Sequence, residues 1–181
     1  MKIAVVGAQN VGKTTFINDF VNVFSEYKSF VSSLKNIANE KGLQLNQMTS
    51  EQTQFLIMQH LYKLISENKD EKVIFDRCLI DNYVYSYCAY LKGGISDEFM
   101  EASKETMFGH LKFLDLIVFI PVSLSVEILP EQQRDVDKNF IDLVNRIFIE
   151  ILLEISKSFP VKICVLSGSR EDRVNQIKKY L

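Results

Sequence analysis

Cysteine and histidine are scarce in this 181-residue chain. It has three cysteines, Cys78, Cys88 and Cys164, and two histidines, His60 and His110. No two cysteines form a C-x-x-C pair, and two histidines cannot supply what is missing, so a structural zinc site is not expected. Reduced, buried cysteines in a cytoplasmic protein are the expectation instead. Proline and glycine are also few, with three and seven respectively. No Pro/Gly/Ser linker, internal repeat or low-complexity tract divides the chain, so one domain over 1–181 is expected. Neither sign of charge dominates. Twenty-one Lys and Arg stand against 23 Asp and Glu, for a net charge of −2, so bulk binding to a nucleic-acid backbone is not expected. No uncharged apolar stretch reaches about 18 residues, which argues against a membrane span. The chain opens directly into an apolar run, which leaves no room for a signal peptide. What is abundant is apolar side chain, 47% of residues, enough for a substantial core.

Within this composition one octet stands out. Gly7-Ala8-Gln9-Asn10-Val11-Gly12-Lys13-Thr14 spells G-x-x-x-x-G-K-T. Gly7 and Gly12 let backbone N–H groups close around phosphate oxygens with no Cβ in the way. Lys13 brings a compact positive charge to β- and γ-phosphates, and the Thr14 hydroxyl suits the Mg²⁺ that accompanies a nucleotide. The octet follows the apolar run Met1–Val6 and precedes an amphipathic stretch from Thr15 to Phe24. It therefore lies between a strand and a helix, where the helix N-terminus favours an anion. Gly7 through Thr15 are the expected nucleotide-binding residues.

Three further apolar runs read as buried strands: Lys72–Phe75, Leu116–Ile120 and Val161–Leu166, with a weaker one at Ser29–Ser32. Helical patterns fall near 14–26, 51–68, 79–92, 97–113, 137–158 and 170–180. Strands alternating with helices imply a parallel α/β sheet with right-handed crossovers, whose ligands gather at the carboxyl ends of the strands.

The residues after each strand are therefore the candidates for chemistry. Asp76 and Arg77 follow the second apolar run. Asp76 can hold Mg²⁺ or accept a proton from an attacking hydroxyl, and Arg77 can clamp a phosphoryl group. The alternative for both is a structural ion pair. Asp81 and Tyr85 are one helical turn apart, and serve either as pocket residues or as a cap and a core residue. After Ile120 the chain reaches a polar stretch that suits a lid over about 124–136, with Arg134 placed as an arginine finger supplied in cis. Arg146, in the following helix, is a second candidate. Gly168 allows a tight turn after the last strand, Ser169 can cap the next helix, and the loop could flank a purine. Gln54 and Gln59 carry amides that could read a base or sugar, Gln59 being the preferred one, or could form the wet side of an amphipathic helix.

The ordered set Gly7–Thr15, Val73-Ile74-Phe75-Asp76-Arg77-x-x-x-Asp81, an Arg-bearing lid, and Leu166-Ser167-Gly168-Ser169-x-x-x-Arg173 resembles the P-loop nucleoside and nucleotide kinases. It is most similar to the compact AAA-domain kinase-like ATPases that include ribosylnicotinamide kinase relatives. The resemblance implies a three-layer α/β fold with a five-stranded parallel sheet in the order 2-3-1-4-5 and Mg-ATP as phosphoryl donor. It implies a small-molecule acceptor such as a nucleoside or nucleotide. Asp76 would handle Mg²⁺ or the acceptor proton, Arg77 and Arg134 would stabilise the transferring phosphoryl, and Gly168 would lie near adenine. Those relatives often carry a Glu and an Arg just after the second strand, where this chain reads Ser33-Leu34-Lys35-Asn36-Ile37-Ala38-Asn39-Glu40. An ATPase serving a protein or nucleic-acid partner, and a kinase of a modified DNA base, are the alternatives. A GTPase switch is disfavoured, because Asp76-Arg77-Cys78-Leu79 lacks the Gly of Asp-x-x-Gly and no guanine-reading Asn-Lys-x-Asp is present. The oligomeric state is left open.

Overall fold

The computed structural model describes residues 1–31, 49–122 and 137–181. The expected lid over about 124–136, Arg134 and the 33–40 stretch lie outside the described residues.

Alternating apolar residues explain the layers. In β1 (Lys2–Val6), Ile3 and Val5 face one side of the sheet while Ala4 and Val6 face the other, all of them fully buried. Ile3 and Val5 pack with Phe16, Ile17 and Phe20 of α1 (Lys13–Val23), and with Val174 and Ile177 of α6 (Arg170–Ile177). The opposite face packs on α2 (Glu51–Ser66), α3 (Leu79–Tyr90) and α5 (Lys138–Ser158), with α4 (Asp97–His110) alongside α3. Three layers result.

The remaining strands are β2 (Lys28–Val31), β3 (Val73–Asp76), β4 (Leu116–Phe119) and β5 (Lys162–Val165). Every pairing is parallel and the order is β2-β3-β1-β4-β5, as the resemblance implied. β3 and β4 are buried throughout, whereas β2 and β5 are edge strands with exposed positions. The solidly apolar reading of the last strand thus overstated its burial: Val165 is 57% exposed. Register fixes what the strand ends present. Val5 lies beside Asp76, and Arg77 N donates to Val5 O at 3.0 Å, which brings the end of β3 up to the octet that follows β1.

Helix starts follow side-chain chemistry. Ser50, Ser96, Asp137 and Ser169 each accept a hydrogen bond from a backbone N–H in the first turn of α2, α4, α5 and α6. The expected helix over 97–113 ends instead at His110 and tightens into a 3₁₀ turn, Leu111–Phe113.

Candidate phosphoryl-transfer site

Gly7 begins the loop between β1 and α1 with φ of +147°, and a Cβ there would lie 2.5 Å from the Ile120 carbonyl oxygen. Only glycine fits where β4 approaches so closely. Asn10 and Gly12 also have left-handed φ, +65° and +88°, and α1 starts at Lys13 directly after. Lys13 is buried, and its Nζ donates to Gly7 O at 2.8 Å and to Ala8 O at 2.6 Å. The ammonium is therefore held within the loop by the loop's own carbonyls. Thr15 is exposed on the first turn of α1.

Thr14 Oγ1 donates to Asp76 Oδ2 at 3.1 Å. Asp76 is 6% exposed, and its Oδ1 has no hydrogen-bond partner among the described residues. A hydroxyl and a carboxylate, one of whose oxygens is free to ligate, are the hard donors that Mg²⁺ takes when its other positions hold water and phosphate. The residues fit the ion.

Arg77 has a φ of +83°, an uncommon conformation for a residue with a Cβ, and one that concentrates at functional sites. Its Nη1 is 3.6 Å from Asp81 Oδ1, and its guanidinium stands over the Tyr85 ring, 5.7 Å from the centroid. Asp81 Oδ2 accepts from Cys78 N at 3.2 Å and so caps α3. The capping reading of Asp81 is what the structure shows, and its other oxygen faces Arg77. Burial raises its pKa to about 6 against the opposing pull of Arg77 and Lys13. Tyr85 is buried too. Its hydroxyl donates to Gln9 Oε1 at 2.7 Å, tying α3 to the phosphate loop, and burial lifts its pKa to about 12.

Of the two glutamines, the structure brings Gln54 to this cluster and leaves Gln59 exposed on α2. Five residues along a helix turn a side chain about 140° away, so the two cannot share a face. Gln54 receives both Nδ2 hydrogens of Asn82, at its carbonyl oxygen (2.9 Å) and its Oε1 (2.7 Å), and donates from Nε2 to Thr49 Oγ1 at 2.8 Å. Asn82 had no role in the sequence reading. It lies beside Asp81, and a polar residue inside an otherwise apolar helix was the available signal. Gln9 Nε2, Asp81 Oδ1, Asn82 Oδ1 and Ser86 Oγ are all buried with no hydrogen-bond partner among the described residues. So many unpartnered polar atoms in one region mark a place that water or a polar ligand can satisfy.

Gly168 turns the chain from β5 into α6 with φ of +82°, and its carbonyl accepts from Arg173 Nε at 3.2 Å. Arg173 Nη1 reaches Val11 O at 3.1 Å, so the Gly168 loop is joined to the phosphate loop. Arg146 is exposed on α5.

Fold and site together define a P-loop domain whose sheet order is that of the nucleoside and nucleotide kinase fold. A protein family described as "AAA domain" matches residues 2–173, and the chain belongs to it. Among solved structures, deoxyadenosine kinase from M. mycoides with the products dCMP and dCDP superposes with a TM-score of 0.76 at 17% identity, covering 99% of this chain and 98% of that one. Thymidylate kinase from Candida albicans gives a TM-score of 0.68 at 19% identity, covering 99% and 89%. The NadR protein in complex with NR gives 0.71 at 15% identity, with 99% of this chain matching 51% of that longer one. At such identities the likeness is one of fold.

Proposed function

We propose that the chain is an ATP-dependent phosphotransferase that moves the γ-phosphoryl group onto a nucleoside, nucleotide or related small molecule. The observation that carries this is the meeting of Thr14 and Asp76 at 3.1 Å, each with a cation next in sequence, Lys13 and Arg77, at the carboxyl ends of adjacent parallel strands. The phosphate loop, Gly7 through Thr15, receives the triphosphate, and Lys13 exchanges its loop carbonyls for phosphate oxygens. Thr14 and Asp76 hold Mg²⁺, which when bound neutralises phosphate charge. Arg77 meets the transferring phosphoryl. Asp76 Oδ2, the oxygen beside Thr14, orients the acceptor hydroxyl and takes its proton as the new O–P bond forms and ADP leaves, while Oδ1 is left for the ion. Catalysis of this kind is positioning and charge neutralisation.

The acceptor side is the cluster on α2 and α3. Asp81 and Tyr85 flank Arg77, and Asn82 Oδ1, held in place by Gln54, offers an acceptor and Gln9 Nε2 a donor to a base or sugar. Two carboxylates, Asp76 and Asp81, beside one arginine favour an acceptor that presents a neutral hydroxyl over one that presents a phosphate. Gly168 would flank the adenine, and Arg134 of the 124–136 stretch is the proposed further charge for the phosphoryl. On this reading the chain is one domain over 1–181, works in the cytoplasm on small molecules, and leaves oligomerisation open.

The test is ADP formation from Mg-ATP across a panel of nucleosides, nucleoside monophosphates, nicotinamide riboside and DNA. Acceptor-dependent turnover that falls about a hundredfold or more in Asp76→Asn, with ATP binding retained, is expected. Turnover equal across the panel and without any acceptor would overturn the transferase reading in favour of an ATPase.

A further inference from the structure

One cation beside the phosphate loop has no part in the chemistry above. Arg173 Nη1 donates to Val11 O at 3.1 Å and its Nε to Gly168 O at 3.2 Å. A Cβ on Gly12 would lie 3.2 Å from the same Nη1, so the guanidinium packs directly against the last turn of the loop. No carboxylate among the described residues pairs with Arg173. By contrast, Arg170 on the same helix binds both oxygens of Asp19, and Arg77 faces Asp81. Arg173 directs two of its N–H donors to neutral carbonyls and keeps its full charge.

The segment that carries Arg173 is itself fixed. A side chain at Gly168 would be strained by the φ of +82° and would crowd Asp172, whose Oδ2 would lie 2.9 Å from the Cβ. Ser169 and Asp172 cap each other's backbone. Gln176 clasps Ser167 at both its N–H (3.1 Å) and its carbonyl (2.9 Å). The Arg170–Asp19 pair then ties α6 to α1. Arg173 thus reaches the phosphate loop from an anchored support.

The consequence follows from the peptide bond. Every peptide among the described residues is trans, so the Val11 carbonyl and the Gly12 N–H point in opposite directions across one plane. A guanidinium that holds the carbonyl therefore turns the N–H away from Arg173. We propose that Arg173 is a positioning residue for the nucleotide: it pins the Val11–Gly12 peptide with the Gly12 N–H facing the phosphates, and it backs that peptide with an unneutralised positive charge. The proposal rests on the reading of Gly7–Thr15 as a phosphate loop.

Calorimetric titration of ATP and of inorganic triphosphate, each with Mg²⁺, at low and high salt, tests it on the wild type, Arg173→Gln and Arg173→Lys. The glutamine variant should bind both ligands roughly tenfold more weakly and with a flatter salt dependence. The lysine variant should fall between, because it keeps the charge but cannot fork to two carbonyls. Melting curves monitor the fold, and a merely structural role would move those without changing the salt dependence. Arg173→Gln binding both ligands like the wild type would overturn the proposal. So would a loss confined to ATP, which would assign Arg173 to the base, and so would a lysine variant as weak as the glutamine one. Wild-type protein that binds neither ligand would instead refute the phosphate loop itself.

Discussion

At the scale of residues, the site depends on a few side chains and backbone angles with no good substitutes. Lys13 is the one cation held inside the octet, gripped by the carbonyls of Gly7 and Ala8. Lys13→Ala should lower turnover about a thousandfold while the melting temperature stays near that of the wild type; turnover near normal would contradict the assignment. Gly7 meets a different constraint, since a methyl group there would collide with the Ile120 carbonyl at 2.5 Å. Gly7→Ala should destabilise the fold by about 2 kcal/mol or more in urea unfolding and abolish ATP binding, because either the loop or β4 must shift. These residues were legible from the start, because glycine, lysine and threonine at that spacing have few other uses. Gln54 and Asn82 were not. Gln54 and Gln59 both sit among apolar neighbours in the sequence, and only the packed helix shows which amide turns inward. Arg173 was visible as a motif position, but its grip on Val11 joins residues 162 apart in the chain.

At the scale of elements, strands and helices came through because their signals are local. The unbroken apolar run of β1, capping by Ser50, Ser96, Asp137 and Ser169, and the period of α1 are each set by neighbours a few residues away. Edge exposure of β2 and β5 is a property of the assembled sheet, which no local pattern states. One junction between elements carries a pH dependence. His110 ends α4, is buried, and its Nε2–H donates to the Tyr62 carbonyl of α2 at 3.2 Å. Burial lowers its pKa from 6.5 to about 4. The unfolded chain therefore takes up a proton below about pH 6.5 that the folded one refuses until about pH 4, so this contribution is present at neutral pH and is lost as pH falls through that window. Stability should drop there by up to about 1.4 kcal/mol per pH unit from this group. Chemical denaturation of His110→Gln across pH 4–7 should show a shallower slope than the wild type; an identical slope would place the titration elsewhere.

At the scale of the whole molecule, the parallel order β2-β3-β1-β4-β5 puts the ends of β1 and β3 side by side, and with them the donor loop and the Asp76-Arg77 pair. On the proposed reading neither segment makes a transferase alone. α1 and α6 brace the phosphate loop from one layer, while the cluster on α2 and α3, the proposed acceptor side, keeps buried polar atoms without partners among the described residues. A ligand that binds only the folded chain stabilises it by mass action. Mg-ATP at about a hundred times its dissociation constant should therefore raise the melting temperature by roughly 5–10 °C. Lys13→Ala should lose most of that rise.

The destination of the γ-phosphoryl tests the account most directly. With γ-labelled ATP, Mg²⁺ and the nucleoside panel, the label should appear on an acceptor hydroxyl in step with ADP, and Asp76→Asn should suppress its appearance. Label released only as inorganic phosphate, at the same rate with and without every acceptor, would contradict it.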